Sequence, residues 1–156
     1  MALAIGTNTY VTLAEANTYF ADKLHTAEWD SAFGATMEKA LKEACRRMNR
    51  LVFKGQKLSE TQLLAFPRIM PQFNRIGVIG FTTDSGVPEA VRAAQCEEAL
   101  ALLRFGNSAR ARAQEQNVVS VKFGDVTEEY RASLKLLSPE ALELLKPYLA
   151  GGVSIR

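Results

Sequence analysis

The segment VVSVKFGDVTEEY, from Val118 to Tyr130, is where the reading of the fold turns. Val119, Val121 and Phe123 alternate with Ser120 and Lys122, a period of two that belongs to a strand. Gly124-Asp125 is a two-residue hairpin turn, and Val126, Glu128 and Tyr130 return on the partner strand. On either side the apolar spacing is helical. The expected fold is therefore mainly α, with about four to five helices, one β-hairpin before the C-terminal helix and a flexible C-terminal tail. A chain of 156 residues fits one domain. The expected division is a helical body over 12–112, the hairpin over 118–130, a C-terminal helix over 138–149 and a tail over 150–156. A two-stranded hairpin is marginal in water by itself, so this one needs support from helices or from another subunit.

Outward from the hairpin, capping signals set the helix ends. Ser138-Pro139-Glu140 opens the last helix with a cap, a proline at the first turn and an acid at the positive end of the dipole. Leu142, Leu145 and Leu149 form its apolar stripe, and Pro147 kinks or closes it. Pro88 opens a helix that runs to about Arg112, with Ala93, Cys96, Leu100 and Leu103 on one stripe and Gly106-Asn107 as a point of interruption. The first helix begins at Thr12, where Glu15 completes a capping box. Leu13, Ala16, Phe20 and Leu24 share its face. Trp29 and Phe33, four residues apart, are placed to pack on one side. A long helix is expected from Thr36 to Phe53, closed by Gly55, and a short one from Ser59 to Phe66, stopped by Pro67. The stretch from Pro67 to Val87, with two prolines and three glycines, shows no sustained period and reads as a loop with a brief strand at Val78 to Phe81.

The sequence lacks the residues of an active site. Its one histidine, His25, falls at the end of the first helix, where a cation is favourable without any catalytic role. One His and two distant Cys make no metal ligand set, and neither a phosphate loop nor a dinucleotide turn is present. The chain is thus expected to be no enzyme and to carry no cofactor and no metal. Cys45 and Cys96 read as buried thiols of a protein kept in a reducing compartment. No leader-like start and no apolar run of roughly 20 residues point to a membrane. Glu97 and Glu98 read as solvated or salt-bridged acids.

A net charge of +2 gives no global attraction to nucleic acid, so affinity must come from a local patch. The one candidate is the run Lys39, Lys42, Arg46, Arg47, Arg50, Lys54 and Lys57, seven cations with Glu43 as the only acid among them. Lys39, Lys42, Arg46 and Arg50 share a helical face, which is either the wet side of an amphipathic helix or a surface for phosphates or an acidic partner. The run has no aromatic before Phe53, whereas single-strand binding uses aromatic platforms among the charges. Arg104, Arg110 and Arg112 form a weaker second patch.

Several segments in fixed order carry a family resemblance. They are Thr9 to Ala16, Tyr19-Phe20, Trp29, the Lys39 to Leu51 helix, Ala65-Phe66-Pro67-Arg68, Val87 to Val91 with Gln95 to Leu103, Val121 to Val126, and Leu144 to Leu149 before the glycines. Taken together the chain resembles the head-tail connector (adaptor, or head-completion) proteins of tailed phages, a family also catalogued as DnaT-like single-stranded-DNA-binding protein. Phe66 stands where a tryptophan is usual, and the 69–86 stretch is longer than in relatives. The resemblance implies a structural subunit of the virion, assembled in the host bacterial cytoplasm and docked as a ring of twelve copies beneath the portal. Its partners would be its own copies, the portal, the next neck or tail-completion protein and the packaged double-stranded DNA, with no membrane. On that implication Val119, Val121, Phe123, Gly124, Asp125, Val126 and Tyr130 form an inter-subunit hairpin. Gly151, Gly152, Val153, Ile155 and Arg156 form a docking tail, and Lys39, Lys42, Arg46, Arg47 and Arg50 face DNA or a partner. The rival is a replication protein that binds single-stranded DNA.

Overall fold

The computed structural model describes residues 2–74, 77–83, 86–106, 120–123, 126–129 and 137–150. Among the described residues five α-helices dominate: α1 (Leu13–Ala21), α2 (Ala27–Asp30), α3 (Gly34–Met48), α4 (Glu89–Phe105) and α5 (Pro139–Leu145), the last continued by a 3-10 turn at Lys146–Tyr148. Strands β1 (Gln56–Lys57), β2 (Arg68–Asn74) and β3 (Gly77–Thr83) form an antiparallel sheet in that order, and β4 (Ser120–Phe123) pairs with β5 (Val126–Glu129). The fold is mainly helical with a two-stranded antiparallel ribbon before the last helix, as the alternation at 118–130 predicts.

The caps behave as their residues dictate. Thr12 accepts from the Glu15 amide at 3.1 Å while the Glu15 carboxylate accepts from the Thr12 amide at 2.7 Å, a complete capping box. Ser138 accepts from the Ala141 amide, with Pro139 in the first turn of α5. Pro147 does not break α5 outright but tightens its end into the 3-10 turn.

α4 runs through the centre, and every residue from Ala94 to Leu100 is buried. One cluster joins its Cys96, Ala99 and Leu100 to Val11, Ala16, Phe20, Trp29, Leu41 and Ala44. A second joins its Val91 and Ala94 to Tyr10, Cys45, Met48, Phe53, Phe66, Ala141, Leu145 and Leu149. Small residues at 90, 93, 94 and 99 let neighbours close on α4 from several sides.

Five expectations change. α3 stops at Met48 instead of Phe53, because the Asn49 side chain takes the Cys45 carbonyl at 2.7 Å and offers its own oxygen to the Ala65 amide at 2.6 Å. Phe53 is then extended and bridged to Leu149. No helix forms between Ser59 and Phe66, since Tyr10 Oη accepts from the Ala65 and Phe66 amides and Gln62 donates to the Leu64 and Pro67 carbonyls. The backbone groups a helix would have used are already paired. The 67–87 stretch contains a seven-residue antiparallel pair, β2 with β3, whose register shifts between Gln72 and Phe73. Trp29 is buried, but Phe33 is 84% exposed at the N-cap of α3, so the two rings do not share a face. Leu24 is likewise exposed, because α1 ends at Ala21.

Arg68 fixes the irregular stretch before the sheet. Its guanidinium donates to the Lys54 carbonyl at 2.7 Å, Gly55 at 2.7 Å, Ala65 at 3.1 Å and Phe53 at 3.2 Å. Gly55 makes this possible. It sits at φ 71°, and a Cβ there would lie 2.0 Å from the Ile69 carbonyl oxygen. Gly55→Ala is therefore expected to lose about 2 kcal/mol or more in urea unfolding, from combined left-handed strain and overlap. A loss below about 0.5 kcal/mol would show that the 53–69 backbone is not held this closely.

Candidate nucleic-acid and partner interface

The structure divides the basic run instead of presenting it as one surface. Lys39 and Arg46 are exposed on α3, and Arg50 is exposed two residues beyond its end. Lys39 and Arg50 have no ion-pair partner among the described residues. Arg46 lies 3.2 Å from Glu43 on the same helix, an exposed pair worth little. Lys42 is drawn to Glu38 at 3.5 Å, and Arg47 turns toward Glu98 at 3.5 Å and Glu43 at 3.7 Å. Lys54 donates to the Pro147 carbonyl and Lys57 to the Gln62 carbonyl, both remaining exposed. The exposed cations left for an anionic partner are Lys39, Arg46, Arg50, Lys54 and Lys57.

Phe53, the one aromatic in this region, is buried beneath the Arg68 guanidinium and against Phe66, so it is no stacking platform. Phe33 and Phe105 are exposed and lie outside the basic run. Arg104 of the second patch is paired with Glu28 at 3.0 Å, and Arg110 and Arg112 lie outside the described residues.

Within the hairpin the pairing runs from Ser120 opposite Glu129 to Phe123 opposite Val126, which puts Val121 and Lys122 opposite Glu128 and Thr127. Val119, Gly124, Asp125 and Tyr130 lie outside the described residues, as do Gly151, Gly152, Val153, Ile155 and Arg156 of the tail. Ala150 is described, and its amide donates to the Val52 carbonyl at 2.9 Å.

Two acids that read as ordinary in the sequence are the most enclosed charges described. Glu97 accepts from the Tyr19 hydroxyl and from Lys23, both on the α1 side of α4. Glu98, 2% exposed, accepts from the Ser138 amide at 2.6 Å and faces Arg47. The ion-pair half of the sequence reading holds; the solvated half does not. A signal was present in the small residues surrounding them on α4, which imply close neighbours all round. Burial also pushes the Cys45 and Cys96 thiols up to about 12, as expected of inert packed sulfurs. His25 is exposed at φ 60°, beyond the end of α1. Among the described residues, no group of three or more His, Cys, Asp or Glu could hold a metal ion, and no helix is long and apolar enough to cross a membrane.

Taken as a class, this is a small, mainly helical protein with an exposed cationic strip and a two-stranded antiparallel ribbon. The chain belongs to the family described as "Putative DnaT-like ssDNA binding protein", whose family model matches residues 2–156. No curated protein and no solved structure matches it.

Burial holds the Glu98 carboxyl above the usual carboxylate range, against the opposing pull of the Ser138 amide and Arg47. The native state then binds this proton more tightly than the unfolded chain. The contribution favours the fold at acidic pH and is lost as pH rises through the native value. Wild type should therefore lose stability relative to Glu98→Gln as pH rises above the ordinary carboxylate range, read by urea unfolding of both proteins. A pH-independent difference between them would contradict this assignment.

Proposed function

We propose that the chain is a non-enzymatic structural subunit of a phage neck, docking as a ring under the portal, extending the DNA channel and joining head to tail. The observation that carries the reading is the ribbon β4–β5, whose four-residue strands pair with one another. So short a pairing is marginal in water and gains stability when a neighbour supplies another strand or an apolar face. The ordered series of segments that resembles connector proteins supports the same reading. Head-to-tail contacts close a ring when the rotation between subunits allows it, and the two faces in contact then differ. In such a ring the exposed Lys39, Arg46 and Arg50 would face DNA or an acidic partner, and the 151–156 tail would dock on a neighbour.

A second reading has a specific observation in its favour: the family description names single-stranded DNA. It would place the phosphates along Lys39, Arg46, Arg50, Lys54 and Lys57, with an affinity that falls steeply with salt. The absence of an exposed aromatic within this strip favours the structural subunit.

Replacing 120–129 with a short Gly-Ser turn separates the readings. The expected result is an unchanged helical circular dichroism spectrum together with loss of ring assembly on the portal, seen by electron microscopy. Loss of the helical fold, or normal rings, would overturn the role given to the ribbon. Tight binding of an oligodeoxythymidine by this variant, abolished by Arg46→Glu with Arg50→Glu, would establish the second reading instead.

A further inference from the structure

Glu98 stands where three elements meet. It projects from α4, faces Arg47 of α3 and accepts the Ser138 amide at the start of α5. Arg47 is itself shared with Glu43, so the carboxylate of Glu98 is held between a cation on one side and the backbone of the C-terminal helix on the other. At its far end the same helical segment is tied by the Lys54 amide to the Tyr148 carbonyl at 2.7 Å, by the Ala150 amide to the Val52 carbonyl at 2.9 Å and by the Lys54 side chain to the Pro147 carbonyl at 3.2 Å. Between these ties Ala141, Leu145 and Leu149 enter the core cluster.

Chain connectivity adds a second point. α5 is seven residues long and is joined to α4 only through residues 107–136. A helix of two turns is not stable by itself in water, so α5 is helical because it is docked. Its docking surface on the body is built from α3, α4 and the 53–66 stretch, which already pack on one another through Cys45, Met48, Phe53, Phe66, Val91 and Ala94.

We propose that Glu98 is a clasp, and that docking of the C-terminal helix is a step separable from folding of the body. Opening the Glu98–Ser138 contact frees the start of α5 from α4. Closing it fixes where α5 begins on the body. Glu98 acts through Ser138 and is a positioning residue. The inference is independent of both functional readings, since it concerns how the segment is held and not what it touches.

The test is hydrogen exchange measured by mass spectrometry on full-length wild type, Glu98→Ala and Glu98→Gln. The alanine variant removes the acceptor. The glutamine variant keeps an oxygen for the Ser138 amide. Amides of Ala141 to Leu149 are expected to exchange at least about tenfold faster in Glu98→Ala, with those of Leu41 to Met48 and Val91 to Leu100 unchanged. Glu98→Gln is expected to stay within about threefold of wild type in both regions. Equal acceleration of α5 and the body, failure of Glu98→Ala to fold, or unchanged α5 exchange in Glu98→Ala would each overturn the proposal.

Discussion

The structure depends on one constraint: α4 is enclosed from Ala94 to Leu100, yet three of those seven positions carry long polar side chains. A buried polar group costs free energy unless it is paired. Gln95 meets this by accepting from the Tyr10 amide and donating to Thr9 and to the Leu41 carbonyl, each at 2.8 Å. Glu97 meets it through Tyr19 and Lys23, and Glu98 through Arg47 and Ser138. Each residue therefore binds α4 to a different part of the chain. Gln95 holds the N-terminal segment and α3, Glu97 holds α1, and Glu98 holds α5. The apolar clusters supply most of the burial, while these three side chains specify which element lies against which side of the central helix.

Much of this was legible in local chemistry. Thr12 with Glu15 and Ser138 with Pro139 mark helix starts because they satisfy amides that no helix can pair internally. The 118–130 alternation is a period-two signal with a turn at its centre, and strands form on both sides of that turn. Other elements were hidden for identifiable reasons. In β2–β3 a proline, two glycines and a register shift at Gln72/Phe73 obscure the alternation, and pairing between strands supplies what the local sequence does not. At Asn49 to Phe66 long-range partners, Tyr10 and Arg68, claim the backbone groups that a helix prediction assigns to neighbours. The burial of Glu97 and Glu98 follows from tertiary enclosure of α4, which a stripe of apolar residues on one face does not reveal.

The candidate interface follows from the same arrangement. A cationic helix is partly consumed by the interior: Arg47 serves Glu98, and Lys42 is drawn to Glu38, leaving Lys39, Arg46 and Arg50 outward. What remains is a thin positive strip without stacking groups, beside a core held by the three polar ties of α4. The family description keeps single-stranded DNA as the competing ligand.

The most direct measurement is quantitative mass spectrometry of purified tailed particles, comparing the copy number of this chain with that of the portal protein. A near one-to-one ratio is expected of a connector ring matched to the portal. Absence of the chain from the particle would contradict that role and leave single-stranded DNA binding as the better account.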